Sequence, residues 1–251
     1  AICLGNTCVL KPAELTPVTA AMLAELVREA DIPAGVVNVV QGVGEVTGDA
    51  LVRHPDVRVI SFTGESRTGE TIMSRGGLKK YSMELGGKSP TLVFEDCDRE
   101  RALDSALFQI FSINGERCTA GSRVFVQEGI YEGFCQRFAE RAERVIVGDP
   151  ALEETQVGAQ ICLDHRDKVI GYIELGQREG ATLMAGGRAP DALPGHLDPA
   201  NFLRPTVLAN VRNDMRVAQE EIFGPVVCLI PFRDEADGLA MANDIAYGLA
   251  A

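Results

Sequence analysis

The chain has 251 residues, 46% of them hydrophobic and 24% charged, which suits one large soluble domain or two modest ones. The formal net charge of −12 argues against nucleic acid and anionic membranes as partners, because both are bound through basic patches. The seven cysteines form no C-x-x-C pair and no apolar run reaches the length of a membrane span, so a reducing cytosol is the expected setting.

The first forty residues predict a strand, a helix and a second strand. The first strand covers Thr7 to Leu10, and the helix begins with Thr16 as its N-cap and ends before Pro33. One face of this helix is apolar and is predicted to be buried. The second strand, Val36 to Val40, is apolar except at Asn38 and is therefore expected to be buried on both faces. The order predicts a parallel crossover unit.

Two glycine-rich turns follow strands in this region and open helices. The first contains Gly44 and Gly48. The second runs from Gly64 to Gly69, after a strand over Val57 to Phe62. The free amides and the dipole at a helix start favour a phosphate group, so both turns predict nucleotide contacts. A Gly-x-Gly pattern alone is also common in ordinary turns.

The rest of the sequence predicts further alternation of strands and helices. Strands over Lys79 to Leu85 and Ser89 to Phe94 flank two glycines, and the second strand is predicted to begin a new domain. The elements expected after it are a helix capped by Asp98, a strand over Ser122 to Gln127, helices over Tyr131 to Val145 and Asp164 to Gly176, a strand over Ala181 to Ala185, an extended segment over Phe202 to Val211, a strand over Val226 to Pro231 and a helix over Asp234 to Asn243.

Two side chains are candidates for chemistry. Cys118 lies in a short loop between Gly115 and Gly121, whose backbone freedom allows a substrate to approach closely. A thiol there acts as a nucleophile once it becomes a thiolate, whereas a buried cysteine would be inert. Glu84 closes a strand-like run, where a carboxylate can serve as a general base. The alternative is a solvated glutamate at a strand end.

Five motifs, in their order and spacing, resemble the aldehyde dehydrogenase superfamily. They are Leu10-Lys11-Pro12-Ala13-Glu14, Phe62-Thr63-Gly64, Glu84-Leu85-Gly86-Gly87-Lys88, Gly115-Glu116-Arg117-Cys118 and Glu220-Glu221-Ile222-Phe223-Gly224-Pro225. Within the superfamily, Ser112 to Arg123 is similar to dehydrogenases of 5-carboxymethyl-2-hydroxymuconate semialdehyde. The resemblance implies an α/β fold of the aldehyde dehydrogenase type. Residues 1–86 would form the C-terminal part of a Rossmann-type NAD-binding domain, and residues 87–251 an α/β catalytic domain truncated at its C-terminal end.

The resemblance also implies a reaction, the oxidation of an aldehyde to the carboxylic acid with NAD. Cys118 would be the nucleophile and Glu84 the base that activates water, which favours water over coenzyme A as the acyl acceptor. The cofactor would be held by Lys11, Glu14, Gly44, Gly48, Gly64, Glu65, Gly69, Leu85, Glu221 and Phe223, with Glu221 at the nicotinamide ribose and Phe223 at the nicotinamide ring. The Glu14 carboxylate would repel a 2′-phosphate, which favours NAD over NADP. Glu65 stands where many relatives carry serine, and an acid beside a pyrophosphate is unfavourable unless it points away.

The expected partner is a small aldehyde, with a carboxylate-bearing semialdehyde as the narrower candidate because Arg117 is adjacent to Cys118. The alternative for Arg117 is a structural ion pair. The resemblance implies a cytoplasmic homodimer or homotetramer for the parent protein. Because the chain begins and ends inside the family's pattern, we expect a central fragment that is inactive or poorly folded alone. A catalytically incomplete fragment or non-catalytic scaffold of this fold is thus the alternative function.

A cysteine hydrolase is a further alternative, which requires a histidine beside Cys118. His54, His165 and His196 are scattered and lack partners at metal-ligand spacing. The sequence therefore predicts no metal site, and it predicts surface or loop positions for all three histidines.

Overall fold

The computed structural model describes residues 2–251, which fall into two compact units. The first unit ends at Leu85, and the second runs from Gly86 to Ala251. None of the helices in the described part of the chain is long and apolar enough to cross a bilayer.

The first unit alternates strands and helices and contains two separate two-stranded parallel sheets, β1 with β2 and β3 with β4. The predicted parallel strand–helix–strand order is confirmed, because Cys8 pairs with Val37 across the first sheet. A short π-helix over Gly44–Gly48 leads into α2. The strands are β1 (Cys8–Leu10), β2 (Val37–Val39), β3 (Val59–Thr63) and β4 (Lys80–Glu84), and the helices are α1 (Val18–Glu29), α2 (Asp49–Arg53) and α3 (Ser66–Gly76).

Three expectations for the first unit are wrong. The apolar face of α1 is not buried, and its Leu26 is 59% exposed. Strand β2 is only partly buried instead of being covered on both faces. Thr16 does not cap α1, because Pro17 occupies the N-cap position and no side chain bonds there. Two-stranded sheets carry too little apolar surface to enclose a helix. Among residues 2–85, Val52 is the only buried hydrophobic side chain.

The second unit is built on one five-stranded sheet with the order β5-β6-β9-β8-β7. Neighbouring strands are parallel except β7 and β8, which are antiparallel. The strands are β5 (Pro90–Val93), β6 (Arg123–Gln127), β7 (Thr182–Ala185), β8 (Thr206–Ala209) and β9 (Val226–Phe232), and the helices are α4 (Arg99–Phe111), α5 (Tyr131–Ala142), α6 (Leu163–Glu179), α7 (Arg216–Gln219) and α8 (Glu235–Asn243).

Helices cover both faces of this sheet. Side chains alternate along β6, so that Val124 packs in one hydrophobic cluster and Phe125 in the other. The first cluster includes Phe138 of α5, and the second includes Ile173 of α6. A mostly parallel sheet buried on both faces is the expected environment for such apolar strands, and the predicted α/β fold is confirmed for this unit.

Helix α4 leads directly into the Cys118 loop. It begins at the predicted cap, because the Asp98 carboxylate accepts hydrogen bonds from the amides of Glu100 and Arg101. Its buried face includes Leu103 and Phe111, which hold the end of the helix against the first cluster. The position of the loop is therefore fixed by a buried helix.

Candidate active site

The approach to Cys118 is a strained turn. Ile113, Asn114 and Gly115 have φ angles of +53°, +57° and +68°. Left-handed backbone is rare for a β-branched residue and costs about 1–2 kcal/mol for non-glycine residues. The Asn114 side chain offsets this cost, since it accepts from the Gly158 amide at 2.8 Å and donates to the Ala159 carbonyl at 2.9 Å. The loop is thereby tied to a second segment of the chain.

Cys118 itself is partly buried, and its main chain is closely approached by Gly87. A Cβ atom placed on Gly87 would lie 2.3 Å from the Cys118 carbonyl oxygen, so only glycine fits. Within residues 2–251, the Cys118 amide N–H has no hydrogen-bond acceptor. An unpaired amide beside a thiol is a suitable donor for an oxyanion.

The turn Glu220 to Pro225 completes this cluster. The Glu221 carboxylate accepts a hydrogen bond from the Gly87 amide at 3.1 Å. A Cβ on Gly115 would lie 2.3 Å from the Gly224 carbonyl oxygen. Phe223 has a φ of +61° and a partly exposed ring. The turn, the Cys118 loop and Gly87 thus line one small cleft within the second unit.

Arg117 lines the same cleft but is directed toward helix α4. Its guanidinium donates to the Gln109 carbonyl at 2.7 Å, and its Nε is buried without a partner among the described residues. Across residues 2–251 Arg117 makes no ion pair, so the structural ion pair considered from the sequence is not formed there. Arg117 therefore contributes to the structure of the loop by bonding the last turns of the helix.

Histidine positions differ from the expectation in one case. His54 and His196 are exposed, and their rings contact the Asp56 amide and the Asp149 carboxylate. His165 lies on the first turn of α6, and its side chain is 15% exposed. It bonds the Phe223 carbonyl oxygen instead of the Cys118 thiol. The described residues contain no group of three or more His, Cys, Asp or Glu side chains that could hold a metal ion.

The second unit also buries two cations, Lys88 and Arg123, which were not candidates from the sequence. Lys88 is 2% exposed, its Nζ has no partner among the described residues, and burial lowers its pKa to about 8. Arg123 is fully buried and donates to the carbonyl oxygens of Lys88 and Ala242, and burial lowers its pKa to about 10. These bonds fix the start of β6 and the segment that leads from Gly87 into β5.

In the first unit, Lys11 brings together several residues assigned to cofactor binding. Its Nζ donates to the Gly42 carbonyl at 2.9 Å and lies 3.5 Å from a Glu14 carboxylate oxygen. Its aliphatic stem would be 3.8 Å from a Cβ on Gly48. Gly44, by contrast, faces open space. Lys11, Glu14 and the glycine-rich turn therefore form one polar surface.

The second glycine-rich turn joins β3 to α3. A Cβ on Gly69 would lie 2.7 Å from the Leu85 side chain, so glycine permits close helix–strand packing. A Cβ on Gly64 would lie 2.6 Å from the Phe62 ring. Glu65 is at the N-cap of α3, and its exposed side chain makes no capping bond. Glu84 ends β4 opposite Thr63 and is exposed.

Comparison with known proteins identifies the family. The model of the aldehyde dehydrogenase family matches residues 1–251. The chain belongs to the aldehyde dehydrogenase family. A 5-carboxymethyl-2-hydroxymuconate semialdehyde dehydrogenase of Escherichia coli is 67% identical over 250 residues, which are 99% of this chain and 53% of that protein.

Solved structures similar to this chain agree with this assignment. HpcC from Thermus thermophilus is 53% identical with a TM-score of 0.95, over 98% of this chain and 48% of that chain. A betaine aldehyde dehydrogenase from Staphylococcus aureus, solved in complex with NAD+, is 38% identical with a TM-score of 0.93, over 96% of this chain and 48% of that chain. The superfamily resemblance and the α/β fold are confirmed. The chain spans about half the length of the relatives it matches.

In the second unit, residues from three of the aldehyde dehydrogenase motifs lie close together. The residues that support them were not predicted from the sequence. Gly87 contacts the Cys118 carbonyl and donates its amide hydrogen to Glu221, so these three residues lie together. His165 and Arg123 lie outside the five motifs, and no local pattern selects His165. A charged residue directly before the apolar run Val124 to Val126 is the one signal that pointed to a buried arginine.

Proposed function

We propose that the whole protein carrying this chain oxidises an aldehyde to the carboxylic acid with NAD. The observation that supports this most is the close packing around Cys118, where Gly87 contacts its carbonyl and Gly115 contacts the turn that holds Phe223. The family match and the NAD+ complex of the Staphylococcus aureus relative agree with it. The test is NADH formation by the whole protein with a panel of aldehydes.

In this mechanism Cys118 forms the covalent intermediates. Its thiolate attacks the aldehyde carbonyl carbon and forms a tetrahedral thiohemiacetal with a negatively charged oxygen. The Cys118 amide, which lacks an internal acceptor, donates a hydrogen bond to this oxygen. The strained turn before Cys118 keeps the amide and the thiol in a fixed relation.

The residues of this chain suit NAD. Lys11 and Glu14 can donate to and accept from the hydroxyls of one ribose, and Glu221, oriented by the Gly87 amide, can accept from those of the other. The glycines at 48, 64 and 69 permit close approach or packing at the turns. NAD held by these residues would supply the hydride acceptor, and loss of hydride from the thiohemiacetal carbon would leave a thioester on Cys118.

Glu84 completes the cycle as a general base. It removes a proton from a water molecule, which attacks the thioester carbonyl, releases the carboxylic acid and regenerates the Cys118 thiolate. Glu84 is exposed at the end of β4, where water reaches it. This role makes water the acyl acceptor, and it makes hydrolysis the step most dependent on Glu84.

For the substrate, we propose a semialdehyde that bears a carboxylate. The support is the 67% identity to the Escherichia coli semialdehyde dehydrogenase. Arg117 does not add to it, because its guanidinium bonds the Gln109 carbonyl. Comparing betaine aldehyde, succinic semialdehyde and muconic semialdehydes tests the choice, and a preference for betaine aldehyde would contradict it.

The alternative is that these residues form a catalytically incomplete fragment or a non-catalytic scaffold. Most of the exposed large hydrophobic side chains lie in residues 2–85, among them Val18, Leu26 and Val59. These surfaces favour association with further protein, in agreement with a cytoplasmic homodimer or homotetramer as the working form. The 251 residues alone are accordingly expected to be inactive, and robust aldehyde oxidation by them would reject this alternative.

Substitution of Glu14 tests the choice between NAD and NADP. Glu14→Gln in the whole protein is expected to raise kcat/KM with NADP relative to NAD by about fivefold, because a neutral amide no longer repels a 2′-phosphate through solvent. The measurement is initial rates with both cofactors. Glu25→Gln, an exposed glutamate on α1, is the control. An unchanged ratio in the Glu14 variant would exclude its proposed role.

Substitution of Gly87 tests the packing against Cys118. In Gly87→Ala the added methyl group would meet the Cys118 carbonyl at 2.3 Å and displace the loop, so kcat/KM should fall by roughly 10²-fold. Gly171→Ala on α6 is the matched control, because its Cβ would face open space. Steady-state kinetics distinguish the two variants. Equal activity of both would show that the contact does not position Cys118.

A further inference from the structure

His165 contacts the two segments that form the candidate active site. Its Nε2 lies 2.6 Å from the Phe223 carbonyl oxygen and 3.6 Å from a carboxylate oxygen of Glu116. A carbonyl oxygen only accepts hydrogen bonds, so Nε2 carries the proton and donates it. The side chains of His165 and Glu116 are only 15% and 16% exposed. The contact is thus sheltered from water on both sides.

Both segments need such support because their backbones are strained. Phe223 has a φ of +61°, in a region that non-glycine residues rarely occupy. Left-handed conformations of this kind persist only where surrounding contacts impose them. The His165 ring also lies edge-on to the Phe223 ring, with centroids 6.1 Å apart and planes at 75°. One imidazole therefore holds both the main chain and the ring of Phe223.

Glu116 lies near the same nitrogen of the imidazole, at 3.6 Å. Its carboxylate accepts from the Ile161 amide at 3.3 Å and hydrogen-bonds Asn114, and burial raises its pKa. Glu116 precedes Cys118 by two residues. A displacement of His165 would therefore change the contacts of both the Phe223 turn and the Cys118 loop.

We propose that His165 is a positioning residue for the nicotinamide end of the cofactor. It donates from Nε2 to the Phe223 carbonyl and so fixes the turn that presents Phe223 and Glu221, while Glu116 links the same ring to the Cys118 loop. The inference rests on the proposed function, since it requires that this turn contacts NAD. His165 acts through Phe223 and touches neither the substrate nor the thiol.

A matched pair of substitutions tests the donor. The amide nitrogen of glutamine reaches about as far along the side chain as Nε2 of histidine, whereas that of asparagine is one methylene shorter and matches Nδ1. In the whole protein, His165→Gln should keep the NAD dissociation constant within about threefold of wild type. His165→Asn should raise it about tenfold, which is the effect of losing one hydrogen bond of ordinary strength. Both variants are expected to have equal thermal midpoints.

The readouts are NAD binding measured by calorimetry without aldehyde, and thermal unfolding of each apoprotein. Equal NAD affinity of the two variants, whether near wild type or about tenfold weaker, would overturn the proposal, because the donor at Nε2 would then not matter. A purely structural role would lower the thermal midpoint of the asparagine variant without rescue of NAD affinity by glutamine. The proposed function fails separately, if the protein with Cys118 replaced by alanine still forms NADH.

Discussion

Replacing Cys118 by alanine in the whole protein is expected to abolish aldehyde oxidation, with a fall in NADH formation of roughly 10⁴-fold or more. Alanine provides no sulfur for the thiohemiacetal, and the remaining groups of the cleft cannot form a covalent intermediate. NAD binding should remain, because the contacts proposed for Lys11, Glu14 and Glu221 do not involve the thiol. Stopped-flow absorbance of NADH with a reactive aldehyde measures the effect.

Cys162→Ala is the matched control for this substitution. Cys162 is also a partly buried free cysteine, and its side chain makes no capping bond at the start of α6. The Cys162→Ala protein should keep its activity within about twofold of wild type, because substitutions without a special structural role have small effects. A rapid burst of NADH from the Cys118→Ala protein would contradict the assignment of the nucleophile.

Glu84→Gln is expected to separate the two halves of the reaction. Glutamine cannot take a proton from water, so thioester hydrolysis should slow by roughly 10²–10⁴-fold, while hydride transfer slows much less. The progress curve should then show a burst of about one NADH per active site, followed by a slow steady state. Rapid mixing with product detection at both phases measures the two rates.

Glu70→Gln on α3 serves as the control, since Glu70 is likewise an exposed glutamate of the first unit. It should show wild-type burst and steady-state rates. If Glu84→Gln slows hydride transfer and hydrolysis equally, the residue acts before the thioester. That result would remove it from the water-activating role.

The elements with strong local signals could be predicted from the sequence. Asp98 caps α4 as expected, because a carboxylate before an amphipathic segment satisfies the free amides of the first turn. The apolar run of β6 is buried on both faces, as a central strand requires. The Cys118 loop and the turn around Phe223 were selected by motif, and the structure brings both to one cleft.

Features that depend on distant partners were not predictable. Whether the apolar face of α1 is covered depends on the size of the sheet beside it, which periodicity does not encode. Pro17 replaced Thr16 at the start of α1 because the proline already has the φ that a helix requires. His165 became important through a carbonyl 58 residues away, and no local pattern identifies such a partner.

Mass spectrometry of a trapped intermediate shows whether the acyl group of the substrate is carried on Cys118. The Glu84→Gln protein would be mixed with NAD and an aldehyde, quenched in acid during the slow phase and digested. We expect one acyl adduct, on the peptide that contains Cys118, at nearly one per active site. An adduct confined to any of the other six cysteines, or turnover without an adduct, would contradict it.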